Sequence, residues 1–213
     1  MRIIAGTHRG RTILGPEDDH TTRPITDRVK ENLFNRLHSL GVLGYGRVLD
    51  LFCGTGSMGL EALSRGADHC LFVDADRRAV QRLQDNIASL DLPPHNTDVI
   101  LGSALLPSWT HRTPDAGLTL ALIDPPYAMT SDLAPLHQLL KDLLPKLEPG
   151  GVAVLRTPDR VTAHDLPGYD AMARVTYGHM ALHFYQAPLP DDANANDPPD
   201  QDPAPNHEPT APR

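Results

Sequence analysis

Cysteine is scarce: Cys53 and Cys70 are the only two among 213 residues, and no metal-ligand spacing surrounds them. Two isolated cysteines of this kind point to reduced thiols in a cytoplasmic protein and to no metal site. Long apolar runs are missing as well. None approaches the roughly 18 residues of a membrane-spanning helix, so no membrane association is expected. The opening segment MRIIAGTHRGRTIL starts basic but lacks a continuous apolar core and a small-residue cleavage site, which argues against a secretion signal. No internal repeat is visible. What is present is an ordinary globular composition, 40% hydrophobic, in a chain long enough for one α/β domain with a sizeable core. A monomer is expected.

Basic charge is also in deficit. The formal net charge is −8, which taken alone argues against a nucleic-acid partner. Its distribution changes that reading. Residues 190–213 hold six acids against one base, so that segment carries −5 and residues 1–189 carry −3. Residues 1–36 hold seven bases against five acids and are net +2, with His8 and His20 in addition. A locally basic arm on a mildly acidic body is compatible with phosphate binding. Residues 188–213 contain eight prolines and almost no large apolar side chains. Such a segment cannot bury enough surface to offset its ordering entropy, and it reads as an acidic, Pro-rich disordered tail.

Ahead of that tail, strands and helices alternate. Residues 2–5 and 11–14 can pair as a hairpin through residues 6–10. Thr26 can cap a helix running to about Ser39, with Val29, Leu33, Phe34 and Leu37 on one face. Strands are expected at 48–52, 70–73, 99–101, 118–123 and 152–156, with helices at 58–64, 77–90 and 133–147. Residues 173–177 and 181–186 would close the domain as a hairpin around Gly178-His179. Repeated βα units predict a mostly parallel seven-stranded sheet with helices on both faces. A terminal antiparallel hairpin on such a sheet is the pattern of the Rossmann-like class I methyltransferase fold. The expected division is an N-terminal hairpin and helix at 1–40, a core domain at 41–187 and the tail at 188–213.

Ligands on open parallel sheets sit at the carboxyl ends of the strands, and each motif falls at such an end. After the first strand comes Asp50-Leu51-Phe52-Cys53-Gly54-Thr55-Gly56-Ser57-Met58-Gly59. Gly54 and Gly56 let the backbone come close to a ligand, and Gly54-x-Gly56-x-x-Gly59 also fits a dinucleotide site. Asp50 separates the two readings. A carboxylate there would repel a pyrophosphate, but would attract the ammonium and sulfonium of S-adenosylmethionine. The bland alternative is that Asp50 merely caps the loop. The second strand ends Phe72-Val73-Asp74-Ala75-Asp76, where Asp74 is placed to take two ribose hydroxyls and Asp76 to cap the next helix. At Gly102-Ser103-Ala104 a side chain or amide can reach an adenine edge, although Ser103 equally suits a turn. The candidate cofactor residues are therefore Asp50, Phe52, Gly54, Thr55, Gly56, Asp74, Ala75, Ser103 and Ala104.

The fourth strand runs into Asp124-Pro125-Pro126-Tyr127. Consecutive prolines fix φ, remove backbone donors and leave carbonyls pointing outward as acceptors. An exocyclic amine on guanine or adenine is a poor nucleophile, because its lone pair is delocalised into the ring. Acceptors aimed at its hydrogens, here the Asp124 carboxylate and the Pro125 carbonyl, favour the pyramidal geometry needed for attack on a methyl group and the charge that develops. Tyr127 would stack on the base. The four residues are read as catalytic; the competing reading is an ordinary Asp-Pro turn.

Arg9, Arg11, Arg23, Arg28 and Lys30 are candidate RNA-binding residues of the arm, with a solvated helix face as the alternative for Arg28 and Lys30. Here the chain resembles a known family. Met1-Arg2-Ile3-Ile4-Ala5-Gly6, residues 23–34, residues 48–67 and residues 123–127 resemble the bacterial 16S rRNA guanine-N2 methyltransferases that modify guanine 966. The resemblance extends over residues 1–187. It implies S-adenosylmethionine as donor, a guanine in small-subunit rRNA as acceptor, and the 30S particle or its assembly intermediate as partner. Cys53 stands where the family commonly has Ala, Asp74 replaces Glu, and Ser103 stands where many relatives carry Asp or Asn. Two other readings stay open: an adenine-N6 DNA or RNA methyltransferase, and a non-catalytic rRNA-binding assembly factor.

Overall fold

Alternate residues of the central strands belong to different apolar layers, and this alternation organises the molecule. In the first strand Val48 packs on one side of the sheet and Leu49 and Leu51 on the other. In the fourth, Leu120 and Leu122 oppose Ala121 and Ile123 in the same way. A strand buried on both faces must be covered on both. Leu33, Phe34 and Leu37, with Leu60 and Leu83, cover one face. Leu136, Leu139, Leu140 and Trp109 cover the other.

The computed structural model describes residues 1–17, 25–161 and 171–189. The strands are β1 (Arg47–Leu51), β2 (His69–Asp74), β3 (Thr97–Leu101), β4 (Leu118–Ile123), β5 (Leu147–Pro158), β6 (Ala171–Tyr177) and β7 (Met180–Gln186). The helices are α1 (Asp27–Ser39), α2 (Ser57–Ser64), α3 (Arg77–Ser89) and α4 (Ala134–Leu143). All seven strands form one sheet in the order β3-β2-β1-β4-β5-β7-β6. β1 to β5 are parallel. β7 runs antiparallel to β5 and to β6. The order reverses between β1 and β4, which opens a crevice at their carboxyl ends.

Three sequence expectations need correction. The helix expected over 133–147 ends at Leu143, a 3₁₀ turn occupies Leu144–Lys146, and β5 already begins at Leu147. Pro145 has no amide hydrogen with which to continue the helix. Gly150 and Gly151, expected beyond a helix end, lie inside β5. The N-terminal hairpin pairs around one bridge, Arg2 to Thr12, with the Ile3, Gly10 and Ile13 amides donating to the Arg11, Ile3 and Met1 carbonyls, but it does not extend to residues 4 and 5, whose donors are spent elsewhere. The amides of Ile4 and Ala5 donate to the Glu61 carboxylate at 2.7 and 3.0 Å. The chain then presses on α2 at Gly6, whose φ is +85°, and a Cβ there would stand 1.7 Å from the Ser64 carbonyl oxygen.

The third correction concerns Lys30. It is 1% exposed. Its ammonium donates to the Arg2 carbonyl at 2.7 Å and to Ser57 Oγ at 3.3 Å, and pairs with Glu61 Oε2 at 3.3 Å. Burial pushes this ammonium below its usual pKa, and Glu61 opposes the shift. A lysine so enclosed fastens α1 to α2 and the arm; it has no face to offer a phosphate. Further along, Asn86 of α3 holds Leu14 by both its amide and its carbonyl and also reaches the Thr55 carbonyl at 2.9 Å.

Candidate active site

The loop after β1 turns by left-handed residues in quick succession: Phe52 at φ 58°, Gly54 at 55° and Gly56 at 83°. Phe52 carries strain that glycine would avoid, the kind of local cost that clusters at ligand sites. The two glycines have different tasks. A Cβ on Gly54 would meet nothing within 4 Å, because that atom faces open space, whereas one on Gly56 would lie 2.4 Å from Leu83 Cδ1. Gly54 thus keeps its left-handed turn beside the cleft, and Gly56 makes room for α3.

Together with the ends of β2 and β4 this loop encloses a cleft of about 380 Å³. Phe52, Gly54, Thr55, Asp74, Ala75, Ser103 and Ala104 line it, as do Asp124 and Pro126. Asp50, Gly56, Pro125 and Tyr127 do not. Asp50 is fully buried beneath the loop, not in the wall that the sequence suggested. One of its oxygens accepts from the Gly59 amide at 2.8 Å. The other has no hydrogen-bond partner among the described residues. Burial first, and the nearby Asp124 and Asp74 after it, push the Asp50 carboxyl up to about 8. Such a group is protonated at neutral pH until a cation nearby favours its charged form.

Asp74 is fixed from both sides. Its oxygens accept from the Gly54 amide at 2.7 Å and the Asp76 amide at 2.8 Å, which lashes the end of β2 to the glycine loop. Each oxygen retains lone-pair capacity for a further donor. Asp76 caps α3 by accepting from Arg78 and Ala79. Ser103 both lines the cleft and makes a turn, its Oγ accepting from Leu105 at 3.3 Å.

At the end of β4 the Asp124 amide bonds the Leu51 carbonyl at 3.2 Å, holding the motif against β1. The Pro126 carbonyl accepts from Met129 at 2.9 Å and closes a 3₁₀ turn over Tyr127–Ser131, so that carbonyl does not point outward as an acceptor. Burial pushes Asp124 up to about 6, with Arg156 pulling the other way. Arg156 is a residue that sequence reasoning missed. It closes the apolar run of β5, is 3% exposed, and sets Nε 2.6 Å from Asp124 Oδ1. The available signal was a charge directly after buried apolar residues, since a buried cation requires a partner. Arg9, Arg11 and Arg28 are exposed, and Arg11 also donates to the Ser89 carbonyl. Arg23 and the tail from residue 190 lie outside the described residues. Among the described residues no helix is long and apolar enough to cross a membrane, and no cluster could hold a metal ion.

A parallel sheet in this strand order, closed by an antiparallel pair and carrying its cleft at the β1–β4 switch, is that of the Rossmann-like methyltransferases. Within that class the chain belongs to the family described as conserved hypothetical protein 95, whose model matches residues 1–186. YlbH of Bacillus subtilis (strain 168), provisionally named an rRNA methyltransferase, is 35% identical over 193 residues, spanning 87% of this chain and 98% of that protein. Ribosomal RNA small subunit methyltransferase D of Escherichia coli (strain K12) is 39% identical over 127 residues, 60% of each chain. Among solved structures, a hypothetical protein of Thermus thermophilus superposes with a TM-score of 0.72 at 31% identity, covering 89% of this chain and 99% of that one. A provisionally named methyltransferase, yhhF of Escherichia coli, gives 0.72 at 27% identity over 88% and 98%. The chain is accordingly a methyltransferase, and these two relatives are named for ribosomal RNA.

Proposed function

We propose that the protein transfers a methyl group from S-adenosylmethionine to the exocyclic N2 amine of a guanine in 16S rRNA, at the position-966 type of site. The observation that carries this reading is the Asp124 carboxylate. It is 19% exposed, on a Pro-Pro turn at the edge of the cleft, and faces the space next to Asp74 and the glycine loop.

The residues present fit the cofactor. A cleft of about 380 Å³ suits a ligand of nucleoside size. Asp74 takes the ribose hydroxyls with the lone pairs its backbone donors leave. The orphaned oxygen of Asp50 favours a cation bound beside the glycine loop, and that cation in turn favours its charged form. When bound, S-adenosylmethionine supplies an electrophilic methyl on a sulfonium, which is left behind as a neutral thioether. Everything else falls to the chain. Asp124 accepts a hydrogen bond from the amine, holds its lone pair toward the methyl and stabilises the positive charge that grows on nitrogen, and once the N–C bond has replaced the S–C bond one N–H proton passes to solvent. Tyr127 supports the base. Arg9, Arg11 and Arg28 meet phosphates, residues 1–40 serve as the RNA arm and residues 41–187 as the transfer domain. The substrate is the 30S particle or its assembly intermediate, in the cytoplasm.

Replacing Asp74 by alanine is expected to weaken cofactor binding by roughly 10- to 100-fold, the worth of one or two hydrogen bonds to a charged acceptor. Titration calorimetry reads this directly, and an unchanged affinity would remove Asp74 from the cofactor site. The substrate is tested by mass spectrometry of 16S rRNA from a strain lacking the gene. One N2-methylguanosine should disappear and return when the purified protein and S-adenosylmethionine are added to 30S particles. An unaltered rRNA map, or loss of N6-methyladenine from DNA instead, would overturn the assignment.

A further inference from the structure

Arg156 has no place in the reaction as described so far, yet it occupies an expensive position. It stands one residue beyond Leu155, which pairs with Ile123 across β4 and β5, and so lies beside Asp124. Putting a guanidinium in a site 3% exposed costs several kcal/mol before its partners are counted. A buried ion pair is weak evidence for stability, since apolar residues of similar volume often serve as well. Two of its contacts suggest another purpose, because both are with the methyl-acceptor motif. Nε stands 2.6 Å from Asp124 Oδ1, and the guanidinium carbon lies 5.8 Å from the centroid of the Tyr127 ring.

We infer that Arg156 is the positioning residue of the acceptor end: it grips Asp124 by one oxygen, braces the Tyr127 ring, and keeps the carboxylate charged as an acceptor for the amine. This rests on the reading of Asp124 given above. The groups facing Asp124 are Arg156 from β5, Asp50 from β1 and Asp74 from β2, with Tyr127 on its own turn. Among these described groups Arg156 is the one cation, and it offsets the negative charge of Asp74. A protonated Asp124 would be a donor facing the hydrogens of the amine, and could not orient its lone pair. Burial drives the group toward that form, and Arg156 resists. An arginine serves better than a lysine here, since its planar fork can bond a carboxylate along one edge and still lie against a ring.

The test combines two readouts on the full chain. The first is the titration of Asp124 itself, taken from carboxyl infrared or carbon NMR spectra by difference against Asp124→Asn. The second is the pH profile of methyl transfer to 30S particles. In the native protein the Asp124 midpoint and the acid limb should both lie near pH 6. In Arg156→Gln both should move up by about one to three units. Activity at pH 7 should then fall by roughly two- to ninetyfold, according to the size of that shift, and recover to about half of the native value or more near pH 9, where Asp124 is again at least half ionised. Arg156→Lys should restore most of the low-pH limb. Arg156→Met, with similar reach and no charge, gives the same readout if the glutamine variant does not fold. A midpoint unmoved in the uncharged variants, or a loss of rate equal at all pH values, would overturn the proposal. Should the native protein transfer no methyl group to the particles, the functional reading fails, while the Asp124 titration still decides the role of Arg156.

Discussion

Asp124→Ala should lower the rate of methyl transfer by about 10²–10⁴ while S-adenosylmethionine binds almost as before. The rate falls because Asp124 is the charged acceptor of the motif, and the carbonyl expected to share the task, that of Pro125, is neutral and stabilises developing positive charge less well. Affinity largely survives because most of the cleft wall belongs to other elements: the glycine loop after β1, and Asp74 at the end of β2 held by the Gly54 and Asp76 amides. The substitution also leaves Arg156 without its carboxylate in a site 3% exposed. The comparison is therefore made where circular dichroism shows the variant folded. Asp124→Asn is a sharper probe. It keeps one oxygen but brings two N–H donors to face the hydrogens of the amine, and it should be nearly as slow. Single-turnover transfer of a labelled methyl group, with calorimetry for the cofactor, separates the two quantities. An alanine variant within tenfold of the native rate would remove Asp124 from the chemistry.

The second large effect is on stability. Glu61→Ala should cost about 3–5 kcal/mol, the range found when one partner of a buried ion pair is removed. Glu61 is 0% exposed and receives four donors: Ile4 and Ala5 amides at 2.7 and 3.0 Å, Arg65 Nε at 2.8 Å and Lys30 Nζ at 3.3 Å. Without it Lys30 becomes a buried cation deprived of its counter-ion, and two amides at the arm lose their acceptor. Urea unfolding measures the loss. Hydrogen exchange at Ile4 and Ala5 should rise well beyond that of β4. The double variant Glu61→Met with Lys30→Met should regain much of the stability, since the penalty arises from leaving one charge alone. A loss under about 1 kcal/mol in Glu61→Ala would show that the cluster is not a tether.

Features that depend on near neighbours in sequence were legible. The Asp76 cap of α3, the Thr26 cap of α1 and its buried face of Val29, Leu33, Phe34 and Leu37 emerged from spacing and residue type alone. So did the end of β4, where the apolar run stops at Asp124, and the ends of β1 and β2 to within one residue. Lys30 was misread although the spacing contained the answer: it precedes Leu33, Phe34 and Leu37 by three, four and seven positions, which puts it on the buried stripe. Its charge outweighed its phase. The end of α4 was misplaced because Pro145 was passed over as a stop. Other features were out of reach. Asp50 lies at a strand end, but whether it forms a wall or lies under one depends on how α2 folds back to offer the Gly59 amide. Arg156 acquires meaning only when β5 pairs with β4. The weak N-terminal ladder depends on Glu61, 57 residues from Ile4.

Those same separations bear on how the chain is made. Ile4 finds its acceptor 57 residues later, and Leu14 finds Asn86 only 72 residues later. Ile4 and Leu14 therefore leave the ribosome before their docking places have been made. They stay unfastened until α2 and then α3 have been synthesised and have packed against β1 and β2. The arm is made before the surface on which it docks.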